Sequence, residues 1–308
     1  MKKILALLLA LCFAASLLPA CSESEQPLST TEAVKNDAEQ SNAETTTSDE
    51  TTPPVETTSA PKSETEIAEA VLFDSDGVKV TVTGIDNGSI WGKEVKLLVE
   101  NNTERSIALS GDTFVVNGIT VYGMLYIEVA AGKKANGSLT LMESELETAG
   151  IEDIVYVLSY GAHVVDTDSY ETICDVPLAI TTTSTYEQII DDSGEVVFEQ
   201  NGIKVVAKTI QDDLFGKSVC LFVANSNGSD VYVQAENISV NGFTINAWMY
   251  DLVPNGSVRY CDLGIYESEL EENSIETIEE ITFTIVAIDA TSYSTIAQSE
   301  EIQVFVAE

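Results

Sequence analysis

Ile119–Leu146 reads ITVYGMLYIEVAAGKKANGSLTLMESEL, and Phe243–Leu270 reads FTINAWMYDLVPNGSVRYCDLGIYESEL. The two stretches align without a gap at an offset of 124. The same register superposes Asn117-Gly118 on Asn241-Gly242 and Gly92-Lys93 on Gly216-Lys217. A unit of about 115 residues is therefore present twice. Within each copy the apolar period is two. Val78, Val80 and Val82 alternate with Lys79, Thr81 and Thr83, and Val95, Leu97 and Val99 are echoed by Val219, Leu221 and Val223. That alternation marks strands with one buried face.

Asp76-Gly77, Asn87-Gly88, Asn117-Gly118 and Asn136-Gly137 punctuate the first copy, and Asn201-Gly202, Asn227-Gly228, Asn241-Gly242 and Asn255-Gly256 the second. Such pairs supply the positive φ that tight hairpins require. The expected fold is all-β: two tandem antiparallel immunoglobulin-like β-sandwiches over residues 67–181 and 190–308, each large enough to bury its own core. Ser144 with Glu147 and Ser268 with Glu271 read as capping boxes, so each copy is expected to carry one short helix, the first ending at Gly150.

Residues 1–20 read as a signal peptide, with Lys2-Lys3 ahead of an apolar run too short to span a bilayer. Leu18-Pro19-Ala20-Cys21 resembles the lipobox of bacterial lipoproteins. The resemblance implies a diacylglycerol thioether on Cys21 and an anchor on the extracytoplasmic face of the cell membrane, with ordinary cleavage as the alternative. Residues 21–66 are rich in Ser, Thr, Glu and Pro and are expected to form a disordered stalk.

The chain carries a formal net charge of −37 at pH 7. Such a surface is a poor partner for nucleic acid, whose binding depends on Lys and Arg neutralising phosphates. It favours solubility and repulsion between copies, with attraction of Ca²⁺ or a cationic partner as the sharper reading.

The run Val99-Glu100-Asn101-Asn102, with Val116-Asn117-Gly118 and Ala131-Gly132-Lys133-Lys134, resembles the small immunoglobulin-like domains of uncharacterised lipoproteins from Gram-positive bacteria. That group is similar in fold to a secreted mycobacterial immunoprotective antigen. The resemblance covers residues 70–180 and 196–306, and the second copy departs from it at Pro254-Asn255-Gly256-Ser257. It implies a fold and brings no chemistry.

Catalytic constellations are sparse. His163 is the one histidine, set between apolar residues in a strand-like run, which leaves no Ser-His-acid triad beyond it. Gly216-Lys217-Ser218 imitates the end of a phosphate-binding loop, but Gln211 stands where that loop needs glycine. No cofactor is implied. No metal site is assigned; calcium is the alternative reading at Asp74 with Asp76 and at Asp166 with Asp168, where acids alternate in expected loops. Solvated turns are the default reading there.

Cys174, Cys220 and Cys261 read as small inert thiols, Cys220–Cys261 being the alternative intra-domain bridge. Trp91, Phe215, Tyr126, Trp248 and Tyr250 are the candidate ligand contacts, since exposed aromatics anchor interfaces. Beside turns of a small sandwich, however, such rings are expected to close the core.

The reading is a membrane-anchored extracytoplasmic module that binds or adheres, to an envelope protein or polysaccharide, without catalysis. An envelope hydrolase or accessory using surface carboxylates and a purely structural spacer are the alternatives.

Overall fold

The computed structural model describes Gln26–Ser29 and residues 65–306. The leader, Cys21 and residues 30–64 lie outside the described residues, and with them the lipid site and most of the expected stalk. Among the described residues no helix is long and apolar enough to cross a membrane.

The fold is all-β, and each copy closes on its own core. In the first, Ala70–Ser75 pairs with Val78–Asp86, which pairs with Gly92–Asn101 and then Lys134–Met142. Ile119–Val129 continues from Lys134–Met142 to Ile107–Val116, which pairs with Tyr156–Tyr160 and His163–Asp166. All these ladders are antiparallel, and the inward residues of every long strand meet in one cluster with Phe114, Leu139 and Ile154 fully buried.

The second copy repeats the order. Glu195–Gln200, Ile203–Asp213, Gly216–Asn225 and Val258–Tyr266 form one sheet. Val231–Val240 and Glu280–Asp289 lead the other. Both sheets contribute to a separate cluster around Leu221, Val233, Leu263 and Phe283. The counterpart of Ile119–Val129 is broken here into Phe243–Thr244, Ala247–Trp248 and Tyr250–Val253.

Core volume is traded between the copies. A Cβ on Gly123 would lie 2.9 Å from the ring of Phe114. The second copy has Ala247 and Ile238 at those two positions, so the methyl added on one side faces a smaller side chain on the other.

Two helices of six residues, Glu143–Thr148 and Glu267–Glu272, occupy equivalent places. Their N-caps are Met142 and Tyr266, and neither has a side-chain capping bond, which corrects the expected capping boxes. Ser144 and Ser268 already lie inside the first turn. The helices are held differently: Glu145 accepts the Tyr122 N–H and Glu269 accepts the Asn246 N–H, each at 3.0 Å. The exit of the first helix is as expected. Gly150 has φ +62°, and Ile151 N–H bonds back to Leu146 O at 2.8 Å.

Four residues assigned from sequence to the stalk form a strand. Gln26–Ser29 pairs with Ile203–Asp213 at Thr209-Ile210 and with Ile302–Val306 at Phe305-Val306.

Candidate binding surface

Gly92 and Gly216 fix the geometry of the surface. Gly92 has φ +126°, and a Cβ there would fall 2.0 Å from Leu141 O; Gly216 has φ +151°, with Ile265 O at 2.2 Å. Only glycine lets these strands approach so closely. The recurrent Gly-Lys is thus a strand start, not part of a phosphate loop, and Lys93 reaches Glu152 O at 2.6 Å while Lys217 pairs with Asp212. The residue before each glycine is locked at the sheet end: Trp91 O accepts Glu143 N–H at 3.3 Å and Phe215 O accepts Glu267 N–H at 2.8 Å.

The rings expected to close the core lie outside it. Trp91 is 54% exposed, Phe215 64%, Tyr126 61% and Trp248 61%. Ladder registers show what surrounds them. Gly92 stands opposite Met142 and Met124 opposite Thr140 in the first copy. Gly216 stands opposite Tyr266 and Trp248 opposite Gly264 in the second.

Four aligned positions are therefore large, apolar and exposed in both copies: Ile90 with Leu214, Trp91 with Phe215, Met124 with Trp248, and Met142 with Tyr266. Sequence reading singled out Trp91, Phe215 and Trp248 from these rows and missed the Ile90 and Met142 rows. The offset of 124 would have found them, had every apolar identity been asked whether its neighbours leave it room inside.

Tyr126 and Tyr250 separate. Tyr126 extends the first patch along its strand, whereas Tyr250 stacks on Tyr232 with centroids 4.7 Å apart, and Tyr232 stacks on Tyr293. Tyr160 of the first copy joins this group beside Asp230. Burial, then the Asp230 carboxylate, pushes its phenol up to about 12.

A second constellation lies between the copies. Arg259 is buried, with its guanidinium carbon 3.9 Å from the centre of the Tyr122 ring. Asp251 Oδ1 lies 3.1 Å from Arg259 Nε but off the line of that N–H, so the contact is Coulombic and Nε has no hydrogen-bond acceptor. Tyr122 Oη donates to Asp251 at 3.4 Å. Burial pushes the Asp251 carboxyl up, and Arg259 draws it part of the way back. Val258 N–H bonds Gly118 O at 3.0 Å, and the hydroxyls of Thr120 and Ser257 meet at 2.9 Å in the same joint.

The remaining candidates resolve into structural roles. Asp166 accepts the N–H groups of Asp168 and Ser169 and pairs with Arg105 at 3.5 Å. Its counterpart Asp289 accepts from Thr291 and Ser292 in the same turn, and those bonds hold it at about 2. Threonine replaces Asp168 in that copy, so the acid pair is not a feature of the turn.

Asp74 lies within the strand Ala70–Ser75, opposite Lys79, and not in a loop as expected; Asp76 is in the turn that follows, at φ +54°. Among the described residues no group of three or more His, Cys, Asp or Glu is placed to hold a metal. The four acids are not brought together.

Cys220 and Cys261 are not bonded to each other. The register opposes Leu221 to Cys261, so alternation points Cys220 to the other face. Burial raises the thiols of Cys261 and Cys174 above the ordinary range. His163 turns back on its own chain, its Nδ1 donating to Gly161 O at 2.8 Å.

No family model matches the chain, and no curated protein matches it. A crystal structure of a conserved domain protein from Bacillus anthracis aligns over 79% of this chain and 92% of that one, with 13% identity and a TM-score of 0.26. A superposition that loose says nothing about activity.

Proposed function

We propose that the chain is a lipoprotein held through Cys21 on the extracytoplasmic face of the cell membrane. Its two immunoglobulin-like sandwiches bind an envelope protein or polysaccharide and carry out no catalysis. The observation that supports this reading is the duplicated patch. Exposed apolar side chains scattered singly need no explanation, but four aligned ones at the same sheet end in both copies do. Solvent exposure of Trp91, Phe215 and Trp248 removes core packing as the reason for keeping them large. A spacer would have no use for them.

Two equivalent patches on one chain make binding bivalent, so that modest affinity at each is multiplied through effective concentration. The lipoprotein resemblance and the basic, apolar leader support the anchor, and an acidic body favours standing off an anionic lipid surface.

The test is photo-cross-linking in the native envelope from the full chain and from a W91A/F215A/W248A triple variant. The triple variant is expected to melt within about 1 kcal/mol of the parent, since exposed side chains contribute little to stability, and to lose the cross-linked partner. Recovery of the partner in undiminished yield would overturn the assignment.

A further inference from the structure

We propose that Gln26–Ser29 is the edge strand that completes the second repeat, so that the amino-terminal end of the chain leaves from the carboxy-terminal repeat.

The argument rests on how each repeat treats one slot. In the first, the slot lies between Gly84-Ile85 and the chain beyond Ala179–Thr181. The segment that immediately precedes the repeat fills it: Thr183 N–H bonds Glu66 O at 2.9 Å, Glu66 N–H bonds Thr183 Oγ1, and Asn87 Nδ2 bonds Thr65 O. Ile67 of that segment belongs to the core.

In the second repeat the preceding segment is drawn elsewhere. Asp191 is bound by Lys208 at 2.9 Å, its carbonyl accepts the Tyr260 hydroxyl at 3.0 Å, and Asp192 pairs with Lys204 at 2.9 Å. Hydrogen bonds from Ser193 and Lys208 hold the Asp191 carboxyl well below the usual range, so this strap keeps its charge near neutral pH. The strap runs over the face of the sheet that carries Lys204 and Lys208, away from the slot.

The backbone edges at Thr209-Ile210 and Phe305-Val306 therefore need another partner, because unpaired strand edges invite pairing with any available chain. Gln26–Ser29 supplies it, bridging the two sheets of the second repeat as Thr65–Ile67 bridge the first.

The consequence concerns the membrane, and it rests on the anchor proposed above, whereas the strand itself does not. Five Cα-to-Cα steps lead from Cys21 to Gln26, a reach of at most about 18 Å. A lipid on Cys21 would thus hold the second repeat against the bilayer.

The experiment is oxidative cross-linking of the full chain carrying S29C with F305C, which face each other in the register. A control pairs S29C with T181C, the aligned position in the first repeat, and the bonds are mapped by mass spectrometry. The expected result is an intramolecular 29–305 bond, formed at least tenfold faster than 29–181. In parallel, L28D should raise the exchange rates of the Thr209 and Val306 amides at least tenfold while leaving those of Glu66 and Thr183 unchanged. No 29–305 bond, an equally rapid 29–181 bond, a bond only between two chains, or unchanged exchange in L28D would overturn the proposal. Loss of the lipid on Cys21 with the 29–305 bond intact would instead remove only the membrane geometry.

Discussion

The two repeats answer the same physical demands with residues that are kept in some places and exchanged in others, and the pattern of exchange separates fold from joint. Both keep the glycine that hugs the neighbouring strand, Gly92 and Gly216. Both keep a buried asparagine whose amide bonds chain carbonyls, Asn101 to Val129 O and Asn225 to Val253 O. Both keep a helix glutamate on the same backbone N–H, and the exposed apolar quartet. The joint is built where they differ. Ile127 and Ala135 of the first repeat correspond to Asp251 and Arg259 of the second, and Tyr122 corresponds to Asn246. An apolar pair in one copy has become an ion pair in the other, and the ring that covers it comes from the first. The close-approach glycine, the buried asparagine and the helix glutamate serve a single module and persist in both, whereas the Tyr122–Asp251–Arg259 contact between modules exists once.

That contrast can be broken most sharply at the joint. Asp251→Ala leaves Arg259 charged and buried without its counter-ion, a change worth about 3–5 kcal/mol. The second repeat should melt first in calorimetry. The double variant D251I/R259A restores the pair found in the first repeat and should regain most of that loss, because a buried ion pair often gives way to apolar residues at little cost. A double variant no more stable than D251A would show that the joint depends on the charges themselves.

A smaller effect, alike in both copies, is expected at the close approaches. Gly92→Ala and Gly216→Ala each place a methyl against a carbonyl at a φ that L-residues avoid, for about 3 kcal/mol. Chemical denaturation should find the two losses within about 1 kcal/mol of one another. A neutral result at either would mean the strand ends can part.

Where the helices end, the copies differ in a way that favours the first. Gly150 holds the left-handed position there, and Ser274 holds it at φ +56° in the second. Ser274→Gly should stabilise the second repeat by about 1 kcal/mol, relieving a conformation that costs a side chain. A lower melting temperature would show that the serine contributes more than its backbone strain costs.

The smallest effect is in acid. Asp289 is held at about 2 by the Ser292 and Thr291 bonds, below the carboxylate's ordinary 3.8. A depressed folded value means its contribution is present above the unfolded value and is lost as pH falls toward 2. Asp289→Asn should therefore lower the melting temperature slightly at pH 7, converge on the parent near pH 2, and flatten the dependence of melting temperature on pH between about 4 and 2. The same acid dependence in D289N as in the parent would assign it to other carboxylates, Asp166 among them, whose value is lowered by the equivalent bonds.

Much of the fold was legible because alternation and Asn-Gly turns are local. Val78–Asp86 and Gly92–Asn101 could be placed residue by residue, since each inward side chain is chosen by burial alone. The capping boxes failed because Ser-x-x-Glu states only a local preference. The preceding strand already sets the backbone of Met142 and Tyr266 as caps, and the glutamates are engaged across the turn. The aromatic surface was half legible. A ring beside a glycine gives no sign of which side it takes until the opposite strand arrives, as Leu141 O does against Gly92. The Tyr122–Asp251–Arg259 joint could have been suspected from Ile127 and Ala135 becoming charged together. Nothing local says that the ring meeting them lies in the other repeat.

By itself the sequence determined the duplication, the strand period, the turns and the acidic charge, because each is a property of neighbours along the chain. Tertiary structure alone decided that Cys220 and Cys261 face opposite sides, that the apolar quartet stays outside, and that Gln26–Ser29 lies on the second repeat. Those outcomes depend on which strand edge is left open and which face is already full, and only the packed chain fixes either.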